Sequence, residues 1–298
     1  MTHPDRDHLT RFLLPRAGVR GVHVHLDATW QAIASSDDYP PMVRAMLGES
    51  AAASALFTGH TKVDGRLSVQ LRGTAGLRTL FAECTAAGTL RGIARVADGA
   101  GDIAGLHAIG EDALLAITIE NPGIGDREPV RYQSLVSLDA PDLSAAFEAY
   151  FVQSEQLPTR LLLAADSDAA VGLMLQKLPG DSVADVDGWD RASALFATLR
   201  AGELLETGVA ELLHRLFHEE DPQIVGGRPL EFACSCSRGR VEAMLASLGR
   251  VEAEAALADG VASVRCEFCG QAYTFDTAGI HAIFTEDRRP MDAPPRLQ

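Results

Sequence analysis

"FACSCSRGR" (residues 232–240) and "VRCEFCGQAYTFD" (264–276) carry four of the chain's five cysteines in two tight pairs, Cys234 with Cys236 and Cys266 with Cys269. The spacing is C-x-C, then 29 residues, then C-x-x-C. Cysteines set this close in a reducing compartment more often bind a metal or carry redox chemistry than fill a core. Four thiolates complete the closed tetrahedral shell that structural zinc prefers. Gly270, directly after Cys269, allows a tight backbone turn around such a centre. The sequence therefore predicts one Zn2+ per chain in the reduced state, held by Cys234, Cys236, Cys266 and Cys269.

Size strengthens this reading. The cysteines lie in a unit expected over 232–285, with a helix capped by Ser237 and holding Val241, Met244, Leu245 and Leu248, helices at 250–258 and 277–284, and a strand at "AYTF". A unit of this size buries only about 60% of its unfolded surface and is marginal alone. Zinc on four thiolates contributes roughly 10–16 kcal/mol, against about 5–15 kcal/mol for the whole stability of a typical domain. Removing the ligands would therefore unfold the unit. Cys234 and Cys236 can join in a small, strained ring, and Cys266 and Cys269 can form the commoner C-x-x-C disulfide. Strained disulfides are the labile, regulatory ones, and a sulfur in a disulfide is no longer a strong zinc ligand. These residues spell a redox switch without saying what is switched.

Working outward, residues 1–178 read as an α+β domain. "GVHVHLDA" (21–28) alternates Val22, Val24 and Leu26 against His23, His25 and Asp27, a half-buried strand. "PMVRAMLGESAAASALFTG" (41–59) predicts a helix, and strands follow at 67–72, 77–84, 89–96, 112–119 and 132–138. Runs of strands with short connections favour a mixed or antiparallel sheet. A helix at 142–156 precedes strands at 160–165 and 170–176.

Between the two, residues 179–231 are expected to form a metastable helical linker. The stretch 179–232 holds 11 acids against 4 bases. Val209, Leu212, Leu213, Leu216 and Phe217 follow helical spacing, as do Ala192, Leu195, Phe196 and Leu199. Gly202 and Gly208 interrupt the two stripes, each costing roughly 1 kcal/mol in a helix interior. The stripes need a cover, and the sheet of the N-terminal domain is the expected one. The tail, 286–298, is polar and Pro-rich and is expected to be flexible.

Charge and composition narrow the function. The net charge is −15, and 232–298 has seven bases against nine acids, which opposes a nucleic-acid-reading zinc module. No apolar run is long enough to span a membrane, and "MTHPDRDHLTRFLLPRAG" lacks a signal-peptide core. A cytoplasmic location is expected. No phosphate-binding G-x-x-x-x-G-K-[ST] is present, "GAGDIAG" (99–105) reads as a loop, and "GDS" (180–182) has no hydrolase context. His214 and His218 lack the Glu of a metalloprotease helix and read as surface or packing residues. His23 and His25 read as a solvent-facing pair, His281 as surplus to a filled shell, and Cys84 as a core thiol not needed for switching.

The chain resembles the redox-regulated 33 kDa chaperonin family, bacterial and organellar holdase chaperones. "LRGTAGLRTLFAE" with "LRGIARV", "YFVQSEQLPTRLLLA", "GLMLQKLPG", "LLHRLFHEED", "FACSCSRGR" and "VRCEFCGQAYTFD" occur in the family's order over about residues 70 to 276. Gly239 departs from the family, whose members often have an acidic residue there. The resemblance implies zinc on Cys234, Cys236, Cys266 and Cys269 and, under oxidation, the disulfides Cys234–Cys236 and Cys266–Cys269. It also implies a non-enzymatic, ATP-independent holdase that binds unfolding client proteins under oxidative and heat stress and is a homodimer when active. Hand-over of clients to ATP-dependent foldase chaperones is a further expectation. The alternative is a thiol–disulfide oxidoreductase using Cys266 and Cys269, which the lack of a thioredoxin-like strand-to-helix setting weakens.

Overall fold

The segment Pro41–His60 has small or apolar residues on every side, so a helix made from it has no face for water. It becomes the centre of the first of two structural units. The computed structural model describes residues 6–61, 63–97, 99, 105–123, 128–179 and 185–285. One unit runs to Ala233 and the other starts at Cys234. In chain order the first holds β1 (His8–Leu14), β2 (Val19–Leu26), α1 (Ala28–Ala34), α2 (Pro41–His60), β3 (Arg66–Arg72), β4 (Leu77–Thr85), β5 (Thr89–Val96), β6 (Leu114–Asn121), β7 (Val130–Val136) and α3 (Leu143–Ser154). Then come β8 (Thr159–Ala165), β9 (Ala170–Lys177), α4 (Gly188–Phe196), α5 (Ala201–Glu206), α6 (Val209–Phe217), β10 (Gln223–Pro229) and β11 (Glu231–Phe232).

Two sheets sandwich α2. One runs β10-β1-β2-β9-β8 and the other β11-β5-β4-β3-β6-β7. All pairs are antiparallel except β11 with β5. Small side chains let α2 approach both layers. A Cβ on Gly48 would sit 2.5 Å from the Ala165 Cβ, so only glycine fits that crossing. The core between the sheets joins Val22, Val24 and Met174 of the first to Leu67, Val69 and Leu80 of the second through Leu47, Ala51 and Phe57 of α2.

The outer face of the five-stranded sheet carries a second core. Phe12, Val19, Val171, Leu173 and Leu175 meet Ala192, Phe196, Leu204, Leu212, Leu213 and Phe217 of α4, α5 and α6. The apolar stripes of the acidic segment therefore lie on the sheet. This cover explains why β9 is buried at seven successive positions instead of alternating.

The same cover corrects the reading of His23. Its ring is 1% exposed, while His25 is half-buried. It lies on the face of β2 that the helices close over, and the strand has neighbours on both edges. Beyond Phe217 and a short turn the acidic segment is extended, not helical: β10 pairs with β1 and β11 with β5. The strand β10 is a polar edge strand whose partner is distant in the chain, so local pattern did not reveal it; β1, with Leu9, Phe12 and Leu14 buried, lies inside the sheet between β10 and β2.

The second unit holds α7 (Arg238–Leu248), α8 (Arg250–Ala255), β12 (Val261–Arg265), β13 (Ala272–Asp276) and α9 (Thr277–Thr285). Its buried apolar core is small: Leu245, Ala253, Ala262, Phe275 and Ile280. No helix among the described residues is long and apolar enough to cross a membrane. Most of the loop at 99–105, all of 180–182 and the tail 286–298 lie outside the described residues.

Candidate metal centre

Two local structures present the cysteines. Cys234 and Cys236 lie just before α7, whose N-cap is Ser237; the Ser237 Oγ accepts from the Arg240 amide at 3.3 Å. The positive end of a helix favours a thiolate beside it. Cys266 and Cys269 lie in the loop that joins β12 to β13, strands paired from Val261↔Asp276 to Arg265↔Ala272. The Gly270 amide donates to the Cys266 carbonyl at 2.8 Å, and the Cys266 amide to the Gln271 carbonyl at 2.9 Å. Gly270 takes φ +71°, a left-handed conformation that closes this knuckle.

The two loops bring the four sulfurs within 4.8 Å of one another. Cys234 Sγ is 3.6 Å from Cys266 Sγ, and Cys236 Sγ is 3.4 Å from Cys269 Sγ. A tetrahedron of Zn–S bonds near 2.3 Å spaces its sulfurs by about 3.8 Å. The donors and their spacing thus fit a tetrahedral zinc ion. Among the described residues this is the one cluster of His, Cys, Asp or Glu side chains able to hold a metal.

Electrostatics separate the four thiols. Burial, joined by hydrogen bonding among the sulfurs, pushes Cys234 up to about 12. Burial also raises Cys269. Cys236 is drawn down to about 7, chiefly because the Tyr273 hydroxyl donates to its sulfur at 3.1 Å. The same bond keeps the proton on Tyr273, pushed up to about 12. Four negative sulfurs so close together need a dication; without one, protons occupy the cluster. Metal binding must then release protons, and oxidation can begin at the sulfur that ionises most readily.

Tyr273, whose hydroxyl bonds the cluster, is the side chain that the sequence reading missed. It sat inside "AYTF" as an ordinary strand aromatic. Its hydroxyl and its place four residues after Cys269 were the available signal.

The other candidates fall outside the cluster. Cys84 is fully buried on β4, and burial pushes its thiol up to about 11. The His214 and His218 rings lie 5.6 Å apart, and His218 Nδ1 sits 3.2 Å from the His214 carbonyl. His281 Nε2 is 3.3 Å from Glu254.

Comparison with known proteins agrees with this architecture. The family model described as Hsp33 protein matches residues 7–276. The 33 kDa chaperonin of Nitrosococcus oceani is 42% identical over 283 residues, 95% of this chain and 96% of that one. That of Ectopseudomonas mendocina is 41% identical, covering 93% of this chain and 95% of its own. In three dimensions the chain is similar to the crystal structure of the 33 kDa chaperonin of Thermotoga maritima. The TM-score is 0.73 at 20% identity, with 93% of this chain and 97% of that one covered. With a four-cysteine centre that follows a two-sheet unit in the chain and a family match over nearly its whole length, the chain belongs to the Hsp33 family of chaperones.

Proposed function

We propose that this chaperone is a redox-regulated, ATP-independent holdase, inactive when reduced and zinc-bound. The observation that carries the reading is the four-sulfur cluster in a unit with so small an apolar core. Cys234, Cys236, Cys266 and Cys269 hold Zn2+. Two equivalents of a peroxide-type oxidant take two electrons from each cysteine pair, forming Cys234–Cys236 and Cys266–Cys269 and releasing zinc. A unit that loses its metal loses most of its support.

The domain division follows the same logic: a core over 1–178, a metastable linker over 179–231, a switch over 232–285 and a tail over 286–298. The helices α4 to α6 cover an apolar sheet face, and their release would expose what a holdase needs. Acidic charge would keep the opened complex with a client soluble. The active form is a homodimer in the cytoplasm that catalyses no reaction, binds no nucleic acid and passes clients on to ATP-dependent foldases.

The test is a paired measurement on full-length protein before and after peroxide at elevated temperature. Zinc and free thiols are counted alongside aggregation of a heat-unfolding client. Zinc loss, four thiols consumed and gained suppression are expected together, with insulin reduction at background. Suppression that is full in the zinc-loaded, reduced form would overturn the reading.

A further inference from the structure

A cavity of about 290 Å3 opens where α2 and α3 end, between the two sheets. This volume is at the lower edge of the roughly 300–1,000 Å3 typical of small-molecule sites. Phe57 of α2, Ile117 of β6 and Phe151 of α3 supply buried apolar wall. Phe57 and Phe151 pack edge to face at 5.2 Å.

Arg20 of β2 is the cation on this lining. Its Nε and Nη2 donate to Gln176 Oε1 at 3.1 and 2.5 Å. Nη2 also donates to His60 Nε2 at 3.1 Å. Gln176 is 1% exposed and is itself fixed, its Nε2 donating to Thr159 Oγ1 at 3.2 Å. The guanidinium is thus positioned by a built chain of side chains, and both of its acceptors are neutral. His60 must be neutral to accept this bond, and burial draws its pKa down to about 4. Among the described residues no carboxylate lies within ion-pair distance of Arg20, and its Nη1 has no hydrogen-bond partner. Glu155, the acid on the lining, is exposed and takes the Tyr150 hydroxyl at 3.1 Å.

A half-buried, uncompensated guanidinium beside apolar walls is costly unless an anion joins it. A carboxylate matches its fork, and the aromatic walls match an apolar body. We propose that the cavity binds a small amphiphilic carboxylate, its acid group on Arg20 and its body against Phe57, Ile117 and Phe151. A free monocarboxylic acid and the C-terminal carboxylate of an apolar peptide share this chemistry. The site stands apart from the redox cycle.

The probes are octanoate and its neutral isostere octanamide, titrated by calorimetry into full-length, zinc-loaded, reduced protein. Octanoate should bind saturably and at least about tenfold more tightly than octanamide, the least that a charge-assisted pair adds. Arg20→Met should level the two, and Arg20→Lys should keep part of the preference. Should Arg20→Met fail to fold, the acid–amide ratio on the wild-type chain still decides. Equal affinities, or no saturable binding of octanoate, would overturn the proposal. Displacement of bound octanoate by a Phe-Leu-ended peptide acid but not its amide would assign the site to a chain terminus. Absence of displacement would assign it to a free acid.

Discussion

Cys236 differs from its three partners because a phenol points its proton at the sulfur. Groups just outside a metal's ligands orient them and commonly account for 10–100-fold in affinity. Tyr273→Phe should therefore weaken zinc binding about tenfold in a chelator competition, with the fold of the first unit unchanged. Cys84 is the opposite case, a sealed thiol whose proton burial retains. Cys84→Ser should leave activation by peroxide intact, read as client aggregation. His23 adds a pH dependence. Burial, with the nearby His25 and His8, draws its pKa from 6.5 to about 3. The stabilisation tied to its neutral ring is complete above pH 6.5 and is lost as pH falls toward 3. Glu49 acts in the other sense: burial, then Asp142, raises it to about 7, so its contribution is complete below 4.5 and lost as pH rises through 7. His23→Gln should flatten the acid limb of stability, by an amount on the order of a few kcal/mol, in urea titrations from pH 7 to 4. The clustering of the four cysteines was legible because thiol chemistry leaves a spacing. Tyr273 and the burial of His23 were not, since both arise from what folds over them.

Among the elements, the helix layer carries a clasp built on a buried carboxylate. Arg191 of α4 holds the buried Glu220 through two nitrogens, Nε to Oε1 and Nη2 to Oε2 at 2.9 Å, and also reaches Asp185 at 2.7 Å. Removing the cation leaves a buried carboxylate unpaired, which destabilises the layer. Arg191→Leu should loosen α4 to α6 and raise client protection by the reduced, zinc-loaded protein. Unchanged protection together with faster hydrogen exchange in those helices would separate clasp from switch. Helical spacing made α6 readable, and its buried stripe is Val209, Leu212, Leu213, Leu216 and Phe217. An all-round apolar composition made α2 readable as well. The strand β10 was illegible because its partner β1 lies some two hundred residues away, whereas β1 also pairs with its chain neighbour β2.

For the whole molecule, the chain runs from the helix layer through β10 and β11 directly into the cluster. The Ala233 amide still donates to Leu90 at 3.0 Å, and the next residue is Cys234. In the proposed switch, oxidation at four sulfurs frees both the small unit and the helix layer that precedes it. Hydrogen exchange on the full-length chain tests this most directly, comparing the reduced, zinc-loaded form with the peroxide-activated form. Faster exchange is expected across 188–285, in step with zinc release and gained client protection, while α2 and β3 to β6 stay protected. A fully active protein whose exchange rises only across 234–285, with α4 to α6 still closed on the sheet, would contradict it.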